Sequence, residues 1–186
     1  MNTPHQPYRV LFVCTANICR SPAAENIART RFGESNAVFR SAGFIDTGQS
    51  CPAPMVQVLG DRHVDVTGHR SYMADAASLY SADLILTMEG AHVQKLTLLD
   101  RNAFSKTFPL KEAAQHMARL SGPTVSLENF LHVANQERDP RTYLSTKWDV
   151  ADPYKRKLKD YKKAVVEISE LLDIVLGRLV PVAAYR

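Results

Sequence analysis

Short apolar runs alternate with stretches of helical spacing along most of this chain. Tyr8-Arg9-Val10-Leu11-Phe12-Val13 is rich in β-formers and ends at Cys14, which predicts a buried strand. Ser21-Pro22 then reads as a helix opening, with serine as N-cap, proline in the first helical position and Glu25 near the positive end of the dipole. Ile27, Ala28, Arg31 and Phe32 carry the helical spacing as far as Gly33. A second strand is expected over residues 37–41, a helix over 54–59 closed by Gly60, and a third strand over 83–87. Helical spacing follows over 89–98, a fourth strand is placed at 105–108, and another helix at 110–120. Between Gly122 and Lys147 the pattern fades, with helical spacing only around 126–134. Residues 153–179 predict one long amphipathic helix, with Leu158, Tyr161, Val165, Ile168, Leu172, Val175 and Leu179 on a single stripe. This alternation predicts a three-layer α/β fold, a central parallel sheet of about four strands with helices on both faces. No Gly/Ser-rich linker interrupts it, so residues 1–186 read as one domain, with 1–7 as a loose arm.

Composition narrows the class. A hydrophobic share of 45% and a charged share of 23% are those of ordinary globular chains, which argues against disorder. The net charge of +4 favours anionic ligands in general and is too small to indicate nucleic acid. The first residues lack the apolar stretch of a secretory signal, and the run from Val10 to Cys14 is too short to span a bilayer, so a cytoplasmic protein without membrane contact is expected. Three cysteines, Cys14, Cys19 and Cys51, make no disulfide framework and read as free thiols. His5, His63, His92, His116 and His132 have no metal-ligand spacing, so they read as solvated or packed residues and no metal or cofactor is expected.

The chemistry concentrates in Cys14-Thr15-Ala16-Asn17-Ile18-Cys19-Arg20-Ser21-Pro22, between a strand end and a helix start. In an open α/β sheet ligands bind at the carboxyl ends of strands. A loop there aims several backbone N–H groups at one anion. Such amides, the helix dipole and a neighbouring arginine favour thiolate over thiol. Arg20, six positions on, can face the same oxyanion and grip two of its oxygens. That pattern points to covalent catalysis by sulfur at phosphorus, aided by electrostatic stabilisation.

This run resembles the signature C-x-G-N-x-C-R-S-P of the low-molecular-weight protein tyrosine phosphatases. Ser41-Ala42-Gly43, His69-Arg70-Ser71, Asp83 to Met88 and Asp152-Pro153-Tyr154 resemble further elements of that family. The resemblance implies hydrolysis of phosphotyrosine in a protein or peptide, with Cys14 as nucleophile and Arg20 as phosphate clamp. It implies that residues Thr15, Ala16, Asn17, Ile18, Cys19, Arg20 and Ser21 cradle the phosphoryl group. Ser21 would bond the sulfur, and Asn17, Ser41 and His69 would support the loop. Cys19 would pair with an oxidised Cys14 in a reversible off state. Ala16 stands where glycine is usual, and alanine resists positive φ.

A proton is needed for the leaving oxygen. Locally, Asp152-Pro153 reads as an N-cap and first-turn pair, and Asp149 is a loop charge. The resemblance instead implies Asp152 as general acid, with Asp149 as second candidate. It also places Phe44 and Tyr154 on the walls of the substrate cleft. The cationic run Lys155-Arg156-Lys157, with Lys159, Lys162 and Lys163, reads first as a solvated helix face, and otherwise as an attractor of anionic peptides. Two other functions stay open. A thiol-dependent arsenate reductase could share the loop, and a non-catalytic phosphotyrosine-binding protein could share the pocket; Asp152 argues against both.

Overall fold

A computed structural model describes residues 7–179. The expected arm, apart from Pro7, lies outside the described residues, as does His5. Four strands, β1 (Tyr8–Val13), β2 (Ala37–Ala42), β3 (Leu84–Thr87) and β4 (Thr107–Pro109), form one sheet in the order β2-β1-β3-β4, and every pair is parallel. The helices are α1 (Arg20–Phe32), α2 (Ala53–Gly60), α3 (Ala76–Ser81), α4 (Gly90–Leu99), α5 (Leu110–Arg119), α6 (Leu127–Glu137) and α7 (Leu158–Leu179).

Both faces of the sheet are covered, as the continuous apolar runs of its central strands require. Val10 and Phe12 of β1, with Leu84 and Leu86 of β3, face a large core shared with α1, α2, α5, α6 and α7. Leu11, Val13 and Ile85 face a smaller core closed by Leu79 of α3 and Leu96 of α4. The stripe from Tyr161 to Leu179 on α7 is buried, so that helix is held by packing along its length. No helix among the described residues is long and apolar enough to cross a membrane.

Several boundaries differ from the sequence expectation. The last helix begins at Leu158 rather than Pro153, because Lys155 has φ +58° and turns the chain out of the helix. The first helix begins at Arg20 after Cys19, so Ser21 is inside it and is not its N-cap. The fourth strand is shifted to Thr107–Pro109, behind a 3-10 turn over Arg101–Lys106. Helix α3, closed by a capping box between Asp75 and Ser78, had no apolar periodicity to announce it. The stretch 122–147 holds α6, capped by Ser126, and a 3-10 turn over Pro140–Leu144.

Candidate active site

With β2 on one side of β1 and β3 on the other, the order of strands reverses there, which is where open α/β sheets bind ligands. The loop leaving β1 is held in shape by one side chain. Asn17 sits at φ +53°, a left-handed conformation that asparagine tolerates better than most residues. Its amide nitrogen donates to Ser21 Oγ at 2.9 Å and to Ser41 Oγ at 2.8 Å, and its Oδ1 accepts from the Tyr72 N–H at 2.8 Å. Its carbonyl oxygen lies 2.7 Å from His69 Nε2. Ser41 donates onward to Glu25, which also pairs with Arg29. Ala16 is not among the residues of positive φ, so the chain carries its left-handed turn one residue later than the alanine.

Gly43 is fixed by close approach. A Cβ there would lie 2.8 Å from Asn17 N and 2.9 Å from Thr15 O, both backbone atoms. Ser21, pointed back from the first turn of α1, donates to Cys14 Sγ at 3.0 Å. Among the described residues nothing accepts from the N–H groups of Thr15, Ala16, Asn17, Ile18 or Cys19. Five amide donors therefore follow Cys14 in an anion-cradle setting.

Arg20 is 1% exposed and heavily engaged. Nη1 donates to Glu89 Oε1 at 2.6 Å and to the Val150 carbonyl at 2.9 Å, while Nη2 donates to Asp152 Oδ2 at 2.8 Å. Its Nε–H is buried without a partner. An unmatched donor on a buried guanidinium is costly, and a bound oxyanion would satisfy it. Glu89 links the arginine to His92, whose Nε2 lies 3.5 Å from Glu89 Oε2 and 3.1 Å from Thr15 Oγ1. Burial lowers His92 to about 4, with Glu89 opposing and Arg20 and Lys95 assisting, so its ring is neutral at pH 7. Burial opposes the charge of Glu89, but the Arg20 guanidinium bonded to it holds the carboxyl below its ordinary range.

The two acidic candidates separate clearly. Asp152 is brought to Arg20, and its other oxygen accepts from the Tyr154 N–H at 3.1 Å, so it turns its own loop and caps no helix. Asp149 accepts from the Gly90 N–H at 3.0 Å and serves the start of α4. Phe44 packs on His92 with centroids 5.3 Å apart, and Lys95 Nζ lies 5.3 Å above the Phe44 ring. Tyr154 is 45% exposed beside Lys155.

Cys14, Cys19 and Cys51 are free, buried and in one apolar cluster, so Cys51 is less remote than its place in the chain suggested. Burial pushes the Cys19 thiol up and takes that of Cys51 to about 12, with the charge of Cys14 adding to both. Sequence reasoning missed Glu89 and His92. Glu89 stands two residues beyond the carboxyl end of β3, a position that signals a ligand-facing charge, and His92 follows it by three, one helical turn along α4. His116, also buried, lies against Glu112 and Glu137 away from this loop. The described residues contain no cluster able to hold a metal ion.

A parallel sheet whose first strand delivers a cysteine–arginine loop to its carboxyl edge defines a phosphatase of the cysteine-loop class. Residues 9–133 match the model of the low molecular weight phosphotyrosine protein phosphatases, and the chain belongs to that family. It is 24% identical over 170 residues to a probable low molecular weight protein-tyrosine-phosphatase, EpsP, of Ralstonia nicotianae, covering 91% of this chain and 94% of the relative. It is 26% identical over 173 residues to a protein-arginine-phosphatase of Geobacillus stearothermophilus, covering 93% and 97%. A low molecular weight protein tyrosine phosphatase structure from T. tengcongensis superposes with a TM-score of 0.71 at 31% identity, over 92% of this chain and 99% of that one.

Proposed function

We propose that the protein hydrolyses phosphotyrosine monoesters of proteins or peptides through a phosphocysteine on Cys14. The observation that carries this reading is the join of Cys14, bonded by Ser21, to five unclaimed amides and the buried Arg20 with its unmatched Nε–H. A phosphoryl dianion in the loop takes the place of Asp152 at Arg20, while Glu89 and Val150 keep the guanidinium aimed. Sulfur attacks phosphorus as the ester P–O bond breaks, and Asp152 as a carboxylic acid delivers its proton to the leaving oxygen. Water then attacks phosphorus, giving its proton to Asp152, and the P–S bond breaks to release phosphate and the Cys14 thiolate. The hydrogen bond from Ser21 stabilises the departing thiolate.

Phe44 and Tyr154 form the walls for an aryl group on this reading, and Cys19 is the resolving thiol for an oxidised Cys14. The likeness to a protein-arginine-phosphatase supports a second reading, in which phosphoarginine is the substrate. Phosphate release from phosphotyrosine, phosphoarginine and phosphoserine peptides, with no turnover thiol added, separates these. Preferred release from phosphotyrosine, lost in Cys14→Ser, is expected. Release from phosphoarginine alone would overturn the substrate, and binding without any release would overturn catalysis.

A further inference from the structure

A cavity of about 620 Å³ among the described residues lies away from Cys14. It lies over the outer side of β2 and the neighbouring part of β1, against the 68–72 segment and α3. Its volume falls in the range of small-molecule sites. Its lining is unusual in charge. Arg9, Arg29, Arg40 and Arg70 all border it, against one carboxylate, that of Glu25.

That carboxylate is already committed to Arg29 and Ser41. Arg70 donates only to the carbonyls of Thr67 and His69, and neither Arg9 nor Arg40 makes an ion pair with a described residue. Two further acids near the rim keep their charges while accepting from neutral donors. Asp83 accepts from the Arg9 N–H, and Asp75 accepts from Tyr72 and caps α3. Three arginines thus border one concavity without an ion-pair partner among the described residues. The positive potential of such a concavity attracts anions. Planar forks of this kind suit phosphate groups, and a ligand carrying more than one phosphate reaches more of them.

We infer that this cavity is a second anion site, which takes a small molecule bearing two or more phosphate charges. The inference goes beyond phosphatase chemistry and does not depend on it. Ser41 and His69, which both border the cavity, also bond Asn17, so a ligand there sits one residue from the catalytic loop without entering it.

The test is calorimetric titration of the full chain with inorganic pyrophosphate and with adenosine diphosphate, which separates a bare polyphosphate from one on an organic carrier. Vanadate, held at the lowest concentration that abolishes hydrolysis, blocks the Cys14 loop throughout. One-to-one binding of at least one probe is expected, weakened at least tenfold in Arg40→Glu/Arg70→Glu. The charge-matched control Arg62→Glu/Arg101→Glu, on exposed positions elsewhere, should bind like wild type. Should the double reversal lose its thermal unfolding transition, Arg40→Gln/Arg70→Gln replaces it. No binding beside vanadate, undiminished binding in the Arg40/Arg70 variant, or equal weakening in the control each overturns the site. Hydrolysis by the same variants is read separately, so failure here is distinct from failure of the proposed reaction.

Discussion

Asp152 Oδ2 lies 2.8 Å from Nη2 of Arg20, and the two side chains differ sharply in freedom: the arginine is 1% exposed and the aspartate 46%. Arg20 is also fixed by Glu89 and the Val150 carbonyl, whereas Asp152 has only its own turn behind it. On the proposed mechanism a phosphoryl group that claims the guanidinium displaces the aspartate, whose protonated carboxyl group then serves the leaving oxygen.

Replacing Asp152 with alanine should therefore act through the leaving group. Turnover of esters with poor leaving groups should fall by about 10²–10⁴, while activated aryl esters change far less. A steeper dependence of kcat on leaving-group pKa is the measurement. Asp149→Ala should cost about 1 kcal/mol in stability through loss of its bond to Gly90 and leave that dependence unaltered. The reverse pattern would reassign the acid to Asp149.

Cys14→Ser should abolish turnover and keep affinity for phosphate, because the amides and Arg20 remain. An alcohol is a far poorer nucleophile than a thiolate at neutral pH and a poor leaving group from phosphorus, so turnover is lost while the cradle persists. Rapid quenching of wild type with substrate, followed by peptide mass analysis, should find phosphate on Cys14. A phosphorylated residue elsewhere would remove the basis for the proposed mechanism.

Two small substitutions test the loop backbone. Ala16→Gly should leave kcat within about twofold, since Ala16 needs no positive φ, and should cost roughly 0.5–1 kcal/mol in stability by freeing the unfolded chain. Gly43→Ala should reduce kcat/KM more than tenfold, because its new Cβ meets backbone atoms of Asn17 and Thr15 that cannot rotate away. Steady-state kinetics with urea unfolding of both variants decides. Equal effects at the two positions would contradict the loop geometry.

The fold was legible where periodicity and burial coincide. β1 and the α7 stripe follow apolar spacing because each buries a face along its whole length. Helix α3 and the two 3-10 turns were not, because their order rests on capping by Asp75, Asp100 and Asp139 more than on an apolar stripe. The candidate site was legible from spacing where it is local, from Cys14 to Ser21, and from the family resemblance at Ser41, His69 and Asp152. Its distant half depends on which strand lies beside β1, which spacing does not specify. Glu89 therefore read as a helix start, although β3 carries it to Arg20. Ser21 read as an N-cap because a Ser-Pro pair looks the same whether its hydroxyl serves a helix end or a thiol.

His92 supplies a pH test of that distant half. Its ordinary value is near 6.5 and burial takes it to about 4 in the folded protein, against the pull of Glu89. Between those values the unfolded chain binds a proton that the folded chain refuses, so stability is complete above pH 6.5 and declines as pH falls towards 4. The full gap corresponds to at most about 3 kcal/mol, of which about 2 kcal/mol should be gone by pH 5. Urea unfolding of wild type and His92→Gln at pH 7 and pH 5 isolates this contribution, since other acidic groups act on both proteins alike. Wild type should lose more stability than the variant on acidification. Parallel losses would mean that His92 is not held neutral between Thr15, Glu89 and Phe44, and that the ring linking Arg20 to Thr15 does not form as described.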